Sequence, residues 1–565
     1  MAKLPEWIPD WMTGAARAAR TELLLARAGA QVLRRTGIAG DVTPAGAIAL
    51  VKHRGKTNPA TLLRYHAENT PHRTALIHAT AEGDRAYSFL ELDDQIARYA
   101  SGLAALGVGR RDRVVLVLKN VPELLLLQHA LARLGAAAVA VSWRSTAPEL
   151  AYVLENSGAK GLFFDCEAAE PARAALAKSG AAVEGRAFSV RGAVDGFRAA
   201  SELLQAAPGR LDVATSEEAA VVIYTSGTTG KPKGAVRKFS RASRLPVLAF
   251  IAETPLKVGQ THLAVCPLYH STAYAFVNLA HSLGDCVVLL DGFEPRAFLD
   301  AVERFGVHHT AVVPTMLHRL LELGDAELRR HDLSSLVAIF TGGAPLSPAL
   351  AIRVMDALGD KLFNFYGATE TGLVTLATPS CIRAAPDSIG RAIEGNEILL
   401  VGDDGRPVPR GEVGELYVRS GNLVAGYHKN EDATRASMMD GYFSVGDLAR
   451  VDEAGRYFLE GRKRDMIISG GVNVYPREVE DALSAHPAVF DAAVVGVPDP
   501  EWGERVHAVV ELRAGCACTE AELLAFAKLR LAGPKRPRGL TIVERLPRNP
   551  TGKVLKRELR EQLAQ

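Results

Sequence analysis

The chain has 565 residues, 48% of them hydrophobic and 23% charged, so it is too long for one hydrophobic core and too apolar for disorder on a large scale. A formal net charge of +2, with no long lysine or arginine block, gives no pull toward nucleic acid, and no nucleic-acid partner is expected. Six cysteines, at 166, 266, 286, 381, 516 and 518, make neither a disulfide framework nor a C-x-x-C metal pattern and are expected to be reduced thiols of a cytoplasmic protein.

Residues 1–57 read as an extension in front of the main fold. No signal peptide is expected there, because the first apolar segment is broken by Pro5, Glu6, Pro9 and Asp10. A helix is expected over 15–35, with Arg20, Arg27 and Arg34 as a basic stripe and Leu25, Val32 and Leu33 on the far side. Such a helix can rest on anionic lipid as a peripheral membrane contact, or it can pack on the body of the protein; packing, the commoner use, is the expectation. The most apolar stretch, 121–143, contains Glu123, Gln128, His129 and Arg133, which are costly in a bilayer, so no transmembrane span is expected.

From residue 58 the elements alternate. Helices are expected at 58–69, 89–106, 122–134 and 148–157, and strands at 85–88, 113–118, 137–142 and 161–165. This rhythm implies α/β layers with largely parallel sheets, whose ligand sites lie beyond the carboxyl ends of the strands.

The stretch 221–234, VVIYTSGTTGKPKG, is an apolar strand that breaks into hydroxyls, glycines and lysines. Gly227, Gly230 and Gly234 allow close backbone approach, Thr225, Ser226, Thr228 and Thr229 offer hydroxyl donors, and Lys231 and Lys233 offer charge, a combination suited to a polyphosphate. It is not a Walker A loop, since Gly230-Lys231 is followed by Pro232 rather than Ser or Thr. Three later strands end in polar loops: 262–266 runs into Pro267-Leu268-Tyr269-His270, 337–340 into Thr341-Gly342-Gly343-Ala344-Pro345, and 362–365 into Tyr366-Gly367-Ala368-Thr369-Glu370. Their ends could converge on one crevice.

After Ile389 the texture changes to short antiparallel strands, at 397–401, 414–419 and 441–443, with tight turns at 403–405 and 452–455. The polar run Gly461-Arg462-Lys463-Arg464-Asp465 is the candidate domain boundary, giving units 1–57, 58–461 and 462–565. In the last unit helices are expected at 476–484 and 520–531 and strands at 489–497, 505–512 and 539–543, before Pro547-Arg548-Asn549-Pro550-Thr551-Gly552-Lys553 sets a lysine at a glycine turn.

Taken together, YTSGTTGKPKG, YGATE, SVGD, GRKRD and NPTGK resemble, in order and spacing over roughly 58–559, the adenylate-forming superfamily of acyl-CoA synthetases, luciferase-like enzymes and peptide-synthetase adenylation domains. The fold this implies is α/β: a large N-terminal domain of stacked α/β sheets with a small β-barrel-like subdomain, and a small mobile α+β C-terminal domain. The resemblance implies ATP, Mg²⁺ and coenzyme A as ligands. By it, Thr225, Ser226, Gly227, Thr228, Thr229, Gly230 and Lys233 would hold the β and γ phosphates. Gly343, Ala344, Pro345, Asn364, Phe365, Tyr366 and Gly367 would line the adenine pocket. Thr369 would meet the α-phosphate, Glu370 would ligate Mg²⁺, Asp447 would accept the ribose hydroxyls, and Arg462 would help hold the nucleotide. His270 would stand between the acid and its thiol acceptor. Lys553 would be the catalytic ammonium of acid activation, Arg464 the hinge, and Gly471 would face the pantetheine tunnel after the small domain swings.

Gly367 stands where acetyl-CoA synthetases carry a tryptophan, which implies an open acid tunnel, and 271–276 lacks the aspartate of amino-acid adenylation domains. The expected substrate is therefore an apolar small-molecule carboxylic acid, a medium- or long-chain fatty acid, joined to CoA. An aryl-CoA ligase and a fatty acyl-adenylate ligase loading a carrier protein are the alternatives. A non-catalytic lipid- or nucleotide-binding relative is disfavoured because Lys553, Glu370 and Asp447 are all present.

Overall fold

The computed structural model describes residues 14–36, 59–179, 183, 185–209, 219–225, 233–238, 243–549 and 552–563. The expected helices and strands of the N-terminal half form: helix Phe89–Ala105 carries the chain from one sheet to the other, and helices of 13 and 11 residues, Pro122–Leu134 and Ala147–Ser157, then return it to the next parallel strand. The first sheet has seven strands, in the order Arg198–Ala199, Ala187–Val190, Gly161–Asp165, Arg113–Val117, Ala137–Ala140, Ala219–Thr225 and Lys233–Lys238. All neighbours are parallel except the last pair, where Thr225 faces Lys233. The glycine-rich loop thus closes a hairpin instead of opening a helix.

The second sheet has 14 strands. Its parallel centre runs Thr74–Thr80, Cys286–Leu290, Thr261–Ala264, His309–Val312, Ala338–Thr341, Leu362–Ala368. Helix Pro122–Leu134 is buried nearly all round, as its apolar circumference requires. It shares one core with Leu116 and Phe163 of the first sheet and Leu76 and Val287 of the second, so it lies where the two layers meet. Helices Ala169–Lys178 and Ser271–Ser282 and strand Thr74–Thr80 have no counterpart among the expected elements. The second of these helices buries Phe276, Val277, Ala280 and His281 together, which erases the one-sided periodicity that marks a helix in sequence.

The antiparallel strands expected after Ile389 continue the second sheet. Ser388–Ala392 pairs with Gly372–Ala377 on one side and with Tyr457–Arg462 on the other, and Tyr442–Val451, Gly414–Ser420 and Asn396–Val401 follow. Gly390 makes this junction possible. Its φ is +86°, and a Cβ there would lie 2.1 Å from the Leu376 carbonyl carbon.

Helix Gly14–Thr36 packs on helix Arg244–Glu253, burying Ala28 and Val32, and Arg35 donates to the Ala252 carbonyl. Val32 joins a cluster containing Phe250, Phe276, Phe340, Phe363 and Phe365. Leu33 is the exception to the expected apolar side, being 46% exposed. Among the described residues no helix is long and apolar enough to cross a membrane.

The chain leaves the second sheet through the short turn Lys463–Asp465 and enters a third, five-stranded sheet. There Val489–Asp499 pairs antiparallel with Gly503–Leu512, and Gly539–Val543 pairs parallel with the latter. Helices Pro476–Ser484 and Glu520–Lys528 cover it through Val479, Leu483, Leu523 and Ala527, and the second starts in a Thr519/Glu522 capping box. This unit touches the larger body where Arg477 donates to the Leu346 carbonyl at 2.5 Å and where the Phe490 and His318 rings meet at 4.7 Å.

Replacing Gly390 by Ala combines left-handed strain with backbone overlap and is expected to cost about 1–3 kcal/mol or more of stability. Chemical denaturation would read this, and an unchanged midpoint would contradict the role of the glycine at the sheet junction.

Candidate active site

The carboxyl ends of adjacent parallel strands bring the polar loops together. Thr341 faces Asn364 in register, so the segment from Gly342 to Pro345 leaves the sheet beside Tyr366 and Gly367. A Cβ on Gly342 would lie 2.5 Å from the Phe365 ring, and Gly343 takes φ +77° with open space beside it. Gly367 sits at a register shift in the hairpin with Gly372–Ala377. A Cβ there would lie 2.0 Å from the Gly372 carbonyl oxygen, which is backbone and cannot give way. The hairpin itself thus requires a glycine at 367.

Thr369 and Glu370 follow on the same turn. Ser271, the first residue of helix Ser271–Ser282, shares a hydrogen bond with the Thr369 hydroxyl at 3.2 Å. Tyr427 donates its phenol to Glu370 Oε1 at 3.0 Å, and the Val424 amide donates to the Glu370 carbonyl at 2.9 Å. The segment holding Glu370 also grips the strand that leaves the glycine-rich loop. The Ala425 amide donates to the Val236 carbonyl, the Val236 amide to the Gly426 carbonyl, and the His428 amide to the Gly234 carbonyl at 2.7 Å. The ends of the loop, Thr225 and Lys233, are thereby drawn to the Glu370 side, while Ser226, Gly227, Thr228, Thr229 and Gly230 lie outside the described residues.

Asp447 and Arg462 face each other on adjacent antiparallel strands. Arg462 Nε donates to Asp447 Oδ1 at 3.0 Å, and the Tyr366 phenol donates to Oδ2 at 2.7 Å. Burial is the largest influence on Arg462 and opposes its charge, but Asp447, Tyr366, Asp465 and Glu370 together more than offset it and hold the guanidinium pKa above its usual value. Burial, reinforced by the nearby Asp447 carboxylate, raises the Tyr366 phenol well above its ordinary range, so it remains a donor.

Lys553 reaches this group from the third sheet. Its loop is closed by reciprocal bonds with Asn549, the Lys553 amide donating to Asn549 Oδ1 and the Asn549 amide to the Lys553 carbonyl, both at 2.9 Å. Gly552, at φ +81°, rests on Thr315, whose hydroxyl would be 2.7 Å from an added Cβ. Burial, then the charge of Arg462, pushes the Lys553 ammonium down to about 8. Arg464 is also held low by burial and by Arg462, so three cations crowd around Asp447 and Asp465. An added anion would relieve that crowding.

His270 precedes helix Ser271–Ser282, its ring 4.3 Å from that of Tyr269. Burial pushes it down to about 4, which leaves it neutral near pH 7, and Nε2 is shut from solvent with no hydrogen-bond partner among the described residues. Gly471 stands apart from all of these, exposed at the turn between Ile467–Ser469 and Val472–Val474 with nothing within 4 Å of an added Cβ. Among the described residues no three His, Cys, Asp or Glu side chains converge as a metal site. Glu370 is a single hard-oxygen ligand, which fits a cation such as Mg²⁺ that takes most of its shell from water and phosphate. Sequence reasoning missed Tyr427, which lies 57 positions from its partner and carries no local signal, and Thr315, the seat of the lysine loop.

Polar groups at the strand ends are thus met by a lysine from the smaller unit, the placement in which α/β sheets take ligands. Residues 63–428 match the AMP-binding enzyme model and 478–553 match the AMP-binding enzyme C-terminal domain model, so the chain belongs to the AMP-binding enzyme family. It is 37% identical over 505 residues to a feruloyl-CoA synthase of an Amycolatopsis species, covering 87% of this chain and 96% of that one. It is 31% identical to the long-chain-fatty-acid–CoA ligase FadD13 of Mycobacterium tuberculosis, covering 89% and 98%. Among solved structures, ATP-bound MatB of Rhodopseudomonas palustris superposes with a TM-score of 0.80 at 29% identity, covering 89% of this chain and 98% of that one. The o-succinylbenzoate CoA synthetase MenE of Bacillus subtilis, with its acyl-adenylate, gives 0.77 at 30% identity, covering 88% and 97%. The chain is thus an AMP-forming acid–thiol ligase of the acyl- and aryl-CoA ligase kind.

Removing the carboxylate charge at the centre of the cation group should be costly. Asp447→Asn is expected to destabilise the fold by about 1–3 kcal/mol, the cost of leaving a charged partner poorly satisfied, and urea denaturation compared with wild type would measure it.

Proposed function

We propose that this chain activates an apolar carboxylic acid, a medium- or long-chain fatty acid, with ATP and then transfers the acyl group to coenzyme A. The observation that carries this reading is Lys553, an ammonium from one sheet buried beside Arg462 and Asp447 of another. In the first half-reaction a carboxylate oxygen bonds to the α-phosphorus while the bond to pyrophosphate breaks. Two anions must meet, and a cation that pays its desolvation on folding stabilises the charge that grows between them.

The remaining residues divide the work. Thr225 to Gly230 and Lys233 hold the leaving pyrophosphate, and Thr369 meets the α-phosphate. Asn364, Phe365, Tyr366 and Gly367, with Gly343, Ala344 and Pro345, enclose the adenine. Asp447 keeps lone pairs for the ribose hydroxyls beside those already used by Arg462 and Tyr366. Glu370, oriented by Tyr427, would hold Mg²⁺, which when bound neutralises phosphate charge. In the second half-reaction a CoA thiol attacks the acyl carbon and AMP leaves. Neutral His270 offers a hydrogen-bonding nitrogen at the boundary between acid and thiol, and the exposed turn at Gly471 is free to carry the pantetheine approach once the small unit has rotated about Arg464.

The apolar character of helix Ser271–Ser282 supports an uncharged tail on the acid. An aryl acid is the second reading. Five phenyl rings, Phe250, Phe276, Phe340, Phe363 and Phe365, pack at 5.0 to 5.9 Å behind Gly342, a wall suited to a flat ring, and the feruloyl-CoA synthase shares 37% identity. Pyrophosphate release against fatty, aryl and amino acids, with and without CoA, decides between them. Release with none of these acids would refute the proposal.

Lys553→Ala should lower acid-dependent pyrophosphate exchange by on the order of 10²–10³-fold, as loss of one transition-state donor does, while largely sparing thiolysis of a supplied acyl-adenylate. Equal loss in both half-reactions would count against this role. Because the lysine is charged below about pH 8, adenylation should fall as pH rises through that value. Lys553→Arg, whatever its absolute rate, should move that alkaline limb upward.

A further inference from the structure

Three ionisable side chains lie deep in the second sheet, outside everything assigned above. Asp285 is fully buried and accepts the Gln260 amide on Oδ1 at 2.9 Å. Its Oδ2 lies 3.0 Å from His309 Nε2, and His309 Nδ1 lies 3.0 Å from His262 Nδ1. His309 and His262 are 1% and 2% exposed, so the chain of contacts is sealed from water. His262 and His309 pair in register on adjacent strands, and Asp285 enters from the turn after helix Ser271–Ser282. Such a network is costly to bury unless its members satisfy one another, and it fixes ring orientation in a way that three apolar residues do not.

The far end of the network meets the ring wall. The His262 ring lies nearly parallel to Phe276, 11° between planes and 6.3 Å between centroids. Phe276 in turn lies 5.5 Å from Phe365, whose ring occupies the space beside Gly342. The same helix begins at Ser271, bonded to Thr369. Its first turn therefore meets the Thr369 loop, while its Phe276 turn packs against the ring beside Gly342.

We propose that Asp285, His309 and His262 are positioning residues that set the place of Phe276 and, through it, the acid selectivity of the ligase. The inference rests on the ligase reading and deepens it. None of the three reaches the Thr369 loop or Gly342; they brace the ring packed behind them. A displaced ring changes the fit of the tail while leaving the nucleotide groups around Asp447 where they are.

The test compares Phe276→Leu, Asp285→Asn and His262→Phe in the full chain, with KM for the acid, KM for ATP and kcat measured across acids of graded length and an aryl series. Phe276→Leu should change the ratio of kcat/KM between preferred and poor acids by about tenfold, the scale of a pocket altered by one or two carbons. Asp285→Asn and His262→Phe should shift the same ratio in the same direction, with KM for ATP within about twofold of wild type, and combining His262→Phe with Phe276→Leu should add little. Unaltered acid selectivity in Phe276→Leu overturns the proposal, as do network variants that only lower the melting temperature. Wild-type protein without acid-dependent pyrophosphate release would instead refute the ligase reading. In that case a thermal-stability cycle over His262 and Phe276 still tests the brace, and strictly additive losses would refute it.

Discussion

The placement of Lys553 is the constraint on which the site depends. A lysine with its pKa held near 8 is carried into a group that already contains Arg462 and Arg464, with Asp447 and Asp465 to oppose them. Such an arrangement is tolerable because the lysine loop is closed on itself through Asn549 and seated on Thr315, while Arg560 holds Asp465 at 2.7 Å. The backbone carries the cost of bringing like charges together. An anionic ligand then meets a surface whose electrostatics are organised before it arrives.

Much of this architecture is legible in the residues. Proline at the start and glycine at the end mark the limits of Pro122–Leu134, and proline marks the start of Pro476–Ser484, so both fall at the expected bounds. Short apolar runs that open at glycine do the same for Gly161–Asp165, which ends at its aspartate, and for Gly539–Val543. Signals fail where burial is complete. Ser271–Ser282 hides its faces in two directions, and Thr74–Thr80 is interrupted by His78, so neither shows a clean period.

The site was legible to the extent that its residues sit in local motifs, and illegible where partners come from afar. Tyr366 and Asp447 are singled out by their own surroundings, but their 2.7 Å bond spans 81 positions and is set by sheet pairing alone. Gly367 shows a second demand on one residue that the sequence does not display. Its glycine invites a reading about substrate size, and the geometry also ties it to the Gly372 carbonyl of its own hairpin. A missing side chain points to a ligand only when the space it leaves faces one.

The grip of residues 424–428 on the strand after the glycine-rich loop carries one more consequence. Through it Glu370, Tyr427 and Gly234 share a single stretch of backbone, so a displacement at the loop end reaches the Glu370 carboxylate within a few hydrogen bonds. The end of the glycine-rich loop and the orientation of the Glu370 carboxylate are thus mechanically linked inside the large body.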